Sequence, residues 1–311
     1  MSYLKYLRYQ IPTIAAIGRT AAGALRGSLA PGRSEPVRSL DGLAPGPLTR
    51  ALLPAPDGAL MEDFVRHLGG HPAHYAGQVP PHFFPQWTFP VLAKTLEPLP
   101  IPAHRLLNGG FRMDVHAPLP VGEALEVEAQ VTRIDEDARK IRITQRITTG
   151  TATSPGAMTI EFYPVVPKRG GSENPEGTRS EAHDERLRPV VPEVGVETFG
   201  SWKLGPRAGL DFALLTGDFN PIHWLAPAAR MSGFRNVILH GFASFGRVFE
   251  HWVTERLAGN PQRVVSVAAR FNKPLVLPTT ATAWTDGSGS VWLGSKQGEK
   301  SWLSAHFTCK D

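Results

Sequence analysis

The sequence predicts an α+β protein of antiparallel sheets and long core helices, with that unit occurring twice. Three observations predict it. Apolar and polar residues alternate with period two in both halves of the chain, as half-buried strands require. A stripe of large apolar residues recurs at spacings of three and four from Phe242 to Leu257, as a core helix requires. The two halves also share short stretches of sequence at an offset close to 156 residues.

Length and composition set the bounds. The chain has 311 residues, enough for two ordinary domains, and is 41% hydrophobic and 20% charged, as globular proteins are. No uninterrupted apolar run approaches the ~18 residues needed to cross a bilayer. The single cysteine, Cys309, permits no internal disulfide, which fits a reducing compartment and a cytoplasmic protein. Nothing in its neighbourhood suggests an activated thiol.

The charge is unevenly placed. Lys plus Arg is 33 and Asp plus Glu is 28, a net +5. The first 34 residues hold Lys5, Arg8, Arg19, Arg26 and Arg33 and no acid, so this arm carries the whole excess. The remaining 28 bases and 28 acids balance. A neutral body argues against nucleic acid as a partner. Within the arm, Leu4, Leu7, Ile11 and Ile14 fit one helical stripe, interrupted at Pro12. Three readings stay open: a helix docked on the body, a peripheral contact with an anionic membrane surface, and a targeting segment.

Four segments follow along the chain: the basic arm and connector (1–44), a first unit (45–167), a polar linker (168–192) and a second unit (193–311). The linker runs Lys-Arg-Gly-Gly-Ser-Glu-Asn-Pro-Glu from Lys168 and has too few apolar residues for a core. In the first unit, Leu125, Val127, Ala129 and Val131 alternate with polar residues and mark a strand. Ile141, Ile143 and Ile147 mark a second, with a turn over 135–139, and 157–165 reads as a third. In the second unit, 264–271, 279–285, 291–294 and 301–308 read as strands, joined by turns such as Asp286-Gly-Ser-Gly289. Shifting the long helix back by the offset places its counterpart over Pro85–Leu96. Pro274-Leu275 then matches Pro118-Leu119, and Asn220-Pro-Ile-His-Trp224 finds an echo in His71-Pro-Ala-His-Tyr75.

The residues with the clearest chemistry lie in Leu215-Thr-Gly-Asp-Phe-Asn-Pro-Ile-His223 and Val237-Ile-Leu-His-Gly241. Leu210, Ala213 and Leu214 fit a helix that stops near Gly217. Pro221 fixes its own φ and pushes Asn220 towards an extended conformation, so a kinked connection can turn Asp218 and His223 towards one point. A carboxylate and an imidazole converging on one water can move protons. Gly241 opens the long helix, where free N–H groups and the helix dipole favour negative charge. Alone, Gly-Asp-x-Asn-Pro is an ordinary turn and His223 a buried histidine. Their conjunction with His240-Gly241 favours the chemical reading.

This pattern resembles the MaoC-like dehydratases, also called the hydratase 2 family. The likeness is specific over Leu215–Gly241 and weak in the first unit. Gln78-Val-Pro-Pro81, Trp87-Thr-Phe-Pro90 and Arg270-Phe-Asn-Lys-Pro-Leu-Val-Leu-Pro278 place it near the double-hotdog (3R)-hydroxyacyl-thioester dehydratases. The resemblance implies a double hotdog, two antiparallel sheets each wrapped around a long central helix. It implies reversible hydration of 2-enoyl thioesters of coenzyme A or acyl-carrier protein in fatty-acid metabolism. It makes Asp218 and His223 the catalytic pair and Gly241 the donor to the thioester oxygen. Asn220, His240 and Ser244 are expected to position the loop or substrate. His71 and His74 lack a carboxylate partner, so one active site per chain is expected and the first unit is degenerate.

No metal or redox cofactor is implied, because no Cys/His cluster at ligand spacing and no phosphate-cradling glycine loop is present. An acyl thioesterase and a non-catalytic thioester-binding protein remain as alternatives. Two fused hotdogs already form a pseudo-dimer, so a monomer and a homodimer are both compatible with the sequence.

Overall fold

The computed structural model describes residues 3–11, 14, 40, 42–99, 101, 106–137, 140–168 and 186–310. The first unit runs β1 (Thr49–Leu53), α1 (Gly58–His67), α2 (Pro85–Leu96), β2 (Leu107–Val115), β3 (Leu125–Glu136), β4 (Lys140–Gly150) and β5 (Met158–Pro167). The second runs β6 (Glu197–Leu204), α3 (Ala208–Thr216), α4 (Ala226–Met231), β7 (Ile238–Leu239), α5 (Gly241–Arg256), β8 (Val264–Phe271), β9 (Leu275–Val276), β10 (Thr279–Thr285), β11 (Ser290–Gly294) and β12 (Leu303–Cys309). Short 3₁₀ turns at Pro72–Tyr75 and Pro221–His223 precede the two long helices.

The sheet corrects one expectation. Instead of two separate sheets there is one ten-stranded antiparallel sheet, ordered β1-β3-β4-β5-β2-β8-β12-β11-β10-β6. The cause is edge pairing. β2 and β8 would each leave a row of backbone groups unpaired, and they satisfy one another with Arg112 opposite Ala268 and Phe111 opposite Ala269. The order is palindromic about that seam: β6, β10, β11, β12 and β8 repeat β1, β3, β4, β5 and β2. This supports the duplication read from sequence. β7 and β9 pair separately, with Ile238 opposite Val276.

The predicted alternation is realised on β3, where Leu125, Val127, Ala129 and Val131 are buried and Glu126 and Glu128 are exposed. α2 spans the residues assigned by the offset. Phe242, Phe245, Phe249 and Val253 of α5 are buried, as the stripe required. Both units contribute to one aromatic core: Phe84 lies 5.4 Å from Phe242 and Phe111 lies 4.7 Å from Phe245, ring centre to ring centre. Glu250 of α5 and His82 of the first unit approach to 2.9 Å with both side chains fully buried.

α1, β1, β2 and β6 were not legible in advance. β2 (LNGGFRMDV) and β6 (ETFGSWKL) contain glycines and no clean alternation; they are strands because neighbours bond them. Of the polar linker, 169–185 lies outside the described residues. Its end is packed on the sheet: Val191 is buried with Trp284 and Trp292, and the Trp292 indole donates to the Arg188 carbonyl at 2.9 Å.

The start of the arm docks on the body, but not by its apolar stripe. Leu4, Leu7, Ile11 and Ile14 are exposed, while Tyr6 and Gln10 are buried. The Tyr6 hydroxyl lies 2.7 Å from the Asp63 carboxylate and 2.9 Å from the Ala59 carbonyl of α1. Lys5 pairs with the same carboxylate at 3.0 Å. Gln10 Nε2 donates to the Leu214 carbonyl of α3 at 3.3 Å. One aromatic hydroxyl and one amide thus find buried partners that the aliphatic stripe could not use. Arg19, Arg26 and Arg33 lie outside the described residues.

Tyr6→Phe removes a buried hydrogen bond to a charged group. It should lower the unfolding free energy by about 1–3 kcal/mol in denaturant titration, while the exposed Leu4→Ser leaves the midpoint in place. Equal midpoints for Tyr6→Phe and the parent would show that the arm adds nothing to stability.

Candidate active site

The site begins where α3 ends. Gly217 has φ of +82° and caps the helix, its N–H donating to the Ala213 carbonyl at 2.8 Å. This left-handed geometry is the reason glycine stands there. Two side-chain turns then follow in tandem. Asp218 Oδ1 accepts the Asn220 N–H at 3.3 Å, and Asn220 Oδ1 accepts the Ile222 N–H at 3.3 Å. The Asn220 side chain thus closes the turn, and Pro221 starts the 3₁₀ turn that carries His223.

His223 is buried, and its Nδ1 lies 2.8 Å from the Ile238 carbonyl. A carbonyl only accepts, so Nδ1 carries the hydrogen and Nε2 keeps a lone pair. Burial pushes the His223 pKa below 6.5, against the opposing pull of the Asp218 charge and the Ile238 carbonyl. The imidazole is thereby kept neutral.

His240 is integrated more closely than the sequence suggested. Its ring stacks on His223 with centroids 3.6 Å apart and meets Phe212 of α3 at 5.0 Å on centroids. Its Nε2 donates to the Asp218 backbone carbonyl at 2.9 Å and lies 3.8 Å from Asp218 Oδ2. Burial, reinforced by His223, brings the His240 pKa down to about 3. Nitrogen or oxygen atoms of Asp218, His223 and His240 all lie within 4.8 Å of one another. These residue types can hold a metal, but the rings are stacked only 25° from parallel, so their in-plane lone pairs do not converge on one point.

Gly241 follows His240 and opens α5, whose first turn no side chain among the described residues caps. The positive end of a 16-residue helix therefore adjoins the carboxylate–imidazole pair. A Cβ on Gly241 would stand 2.7 Å from the Phe271 ring. Ser244 is buried one turn along, and its N–H donates to the His240 carbonyl at 3.2 Å; its place is the helix rather than the pair. In the first unit, His71 caps its turn by accepting the Ala73 N–H at 3.3 Å, as Asn220 does in the second. The His74 ring packs against Gly259.

Sequence reasoning missed Gly209. A Cβ there would fall on the His223 carbonyl oxygen, so only glycine lets α3 pass this close to the loop. The available signal was a glycine in the first turn of a helix, where it lowers helix propensity.

Asp218, His223 and His240 thus cluster beside a helix N-terminus, on a sheet and helix duplicated within one chain. Residues 192–301 match the family model described as MaoC like domain, and the second unit of the chain is a MaoC-like domain. The 3-hydroxyacyl-thioester dehydratase Y of Mycobacterium tuberculosis (strain ATCC 25618 / H37Rv) is 31% identical over 177 residues, covering 55% of this chain and 58% of that protein. The chain thus spans under two thirds of that relative's length. The crystal structure of HtdX from the same organism superposes with a TM-score of 0.65 at 21% identity, over 85% of this chain and all of that one. A conserved hypothetical M. tuberculosis protein with a double hotdog fold gives 0.51 at 15% identity, over 88% of this chain and 97% of that one. The architecture is accordingly of the hotdog type. No helix among the described residues is long and apolar enough to cross a membrane.

The depressed histidine gives a signed pH dependence. Below pH 6.5 the unfolded chain takes up a proton at residue 240 that the folded chain refuses until about pH 3. This group therefore costs stability progressively as pH falls through that window, by roughly 1.4 kcal/mol per pH unit. Denaturant midpoints at pH 7.5 and 5.0 should differ by less in His240→Asn than in the parent; equal differences refute the assignment. Gly209→Ala should displace His223 and depress any activity of the site far more than it lowers the thermal midpoint.

Proposed function

We propose that the chain is a hydro-lyase that reversibly adds water across the double bond of a 2-enoyl thioester of coenzyme A or acyl-carrier protein, in fatty-acid metabolism. One observation carries this reading: a neutral, buried His223 and the Asp218 carboxylate meet next to the uncapped N-terminus of α5. That is the equipment hydration needs. In the hydration direction, the pair holds a water. As its oxygen bonds to the β carbon, a proton passes to the Asp218–His223 pair. The double bond's electrons move towards the thioester oxygen, where the Gly241 N–H and the helix dipole stabilise the negative charge. The enolate then takes a proton at the α carbon, completing addition of one water. Dehydration is the reverse. The acyl-thioester relative named above supports this substrate class, and the (3R) configuration follows from the family likeness alone.

In this reading Asp218, His223 and Gly241 are the catalytic residues. His240 and Asn220 are positioning residues: one fixes the Asp218 backbone and flanks His223, the other holds the turn. Ser244 supports the first turn of α5. We take 45–167 as a degenerate hotdog and 193–311 as the catalytic one, each half-sheet wrapped around its own helix. The outward stripe of Leu4, Leu7, Ile11 and Ile14 beside Arg8 suits a peripheral contact with an anionic membrane, and Cys309 as the sole cysteine suits the cytoplasm.

Hydration of trans-2-enoyl-CoA of short and long chain, followed by loss of enoyl absorbance, tests the reaction. Asp218→Asn and His223→Ala should each lower kcat by about 10²–10⁴. Gly241→Ala and Gly241→Pro both add a Cβ facing Phe271, but only proline removes the N–H, and the first helical position accepts proline. The proline variant should be slower than the alanine variant by about 10²–10³. Folded parent protein inactive on both CoA and carrier-protein thioesters would sink the hydratase reading and favour thioester hydrolysis or simple binding.

A further inference from the structure

Two surface arginines of the second unit carry uncompensated charge. Elsewhere Arg50 pairs with Glu128, Arg133 with Asp135 and Arg146 with Glu161. Arg230 and Arg235 are exposed, and among the described residues neither forms an ion pair or a side-chain hydrogen bond. No acidic residue occurs between Asp218 and Glu250, although the body as a whole is balanced. The segment that holds both arginines is an insertion relative to the first unit. Val237-Ile-Leu-His240 matches Val79-Pro-Pro-His82, yet His240 lies 17 residues after His223 and His82 only 8 after His74.

This stretch is pinned to the loop of Asp218 and His223. The Trp224 indole donates to the Phe219 carbonyl at 3.1 Å and the Leu225 N–H to the Pro221 carbonyl at 2.8 Å. At its far end the Asn236 side chain donates to the Leu277 carbonyl at 3.0 Å. α4 turns Ala229 into the core and Pro227, Arg230 and Met231, a turn apart, outwards. Met231 is 90% exposed, and Trp224 and Leu225 at the start of the helix are exposed as well. Trp, Met and Arg are enriched where proteins meet, and the charged residues Lys, Asp and Glu are depleted there. Residues 224–236 contain all of the first three and none of the second.

We propose that this face, made of Trp224, Leu225, Arg230, Met231 and Arg235, is the docking surface for an acidic acyl-carrier protein. The proposal rests on the thioester reading of the site and chooses between the two carriers which that reading leaves open. Free coenzyme A offers phosphates to the arginines but nothing to an outward-facing Met231, Leu225 and Trp224. A protein partner with carboxylates around a small apolar spot satisfies both, the apolar groups at the centre and the charges at the rim. Trp224 directly follows His223, so a partner seated here stands beside the loop where its thioester would react.

Hydration of the crotonyl thioesters of an acidic acyl-carrier protein, of coenzyme A and of pantetheine tests the surface. Reversing both charges, Arg230→Glu with Arg235→Glu, should lower kcat/KM on the carrier-protein thioester by about 10–100-fold, through KM. Met231→Glu should lower it by about tenfold. Both variants should keep the pantetheine thioester within about twofold of the parent, and the parent's preference for the carrier protein should shrink as salt rises. An unchanged carrier-protein KM in both variants overturns the proposal. An equal loss on the coenzyme A thioester overturns it too, by assigning the arginines to phosphate. So does loss of binding to phosphatidylglycerol vesicles with carrier kinetics intact, which makes the face a membrane contact. A dimer that Met231→Glu converts to monomer, again with carrier kinetics intact, makes it a self-interface. A parent that hydrates no thioester removes the main reading instead. The surface is then read without turnover, by fluorescence anisotropy of dye-labelled butyryl-carrier protein. Its Kd should rise at least about tenfold in the double arginine variant, and equal Kd values overturn docking.

Discussion

The pairing of β2 with β8 is the constraint on which the rest of the molecule depends. Each five-stranded half ends in an open edge, and each edge is the other's partner. Joining them removes two rows of unsatisfied backbone groups and brings α2 and α5 into one aromatic core. It also places Glu250 of one unit against His82 of the other in a fully buried contact. Burying such a pair is costly unless both partners stay in register. The seam therefore also fixes how the two units sit on each other.

That frame explains the asymmetry of the two halves. Both keep a helix, a glycine stop, a capped 3₁₀ turn and a long helix behind it. In the second half the cap is Asn220 and the loop carries Asp218. In the first half His71 performs the same capping bond, so the turn survives without the carboxylate. The backbone geometry is cheap to retain because a single side-chain acceptor holds it. The carboxylate is lost with one residue.

Within the site, position and protonation have separate causes. The tandem turns at Asp218 and Asn220 set where the carboxylate and imidazole lie. Burial holds the His223 and His240 imidazoles neutral, reinforced at His240 by the neighbouring His223. The basic arm belongs to the same frame: Tyr6 and Gln10 tie α1 to α3, the helix whose end carries Asp218. Of the three readings left open for the arm, its described start, residues 3–11, follows docking on the body.

Much of this was legible in the residues. Period-two alternation identified β3, the three-four stripe identified α5, and the offset located α2, because in each case one face of the element is buried and the other is not. The Gly217 stop and the Asn220-Pro221 turn were readable because they are local, decided within four residues of chain. Tertiary structure alone decided the remainder. That the two sheets are one follows from edges meeting across about 150 residues. That β2 and β6 are strands follows from neighbours that bond them, not from their own alternation. The stripe on the arm pointed outwards because Tyr6 found Asp63, a partner no local pattern names. The closeness of His240 to Asp218, and the need for glycine at 209, arise where α3, the turn and α5 converge, and such contacts leave no periodic trace in any one of them.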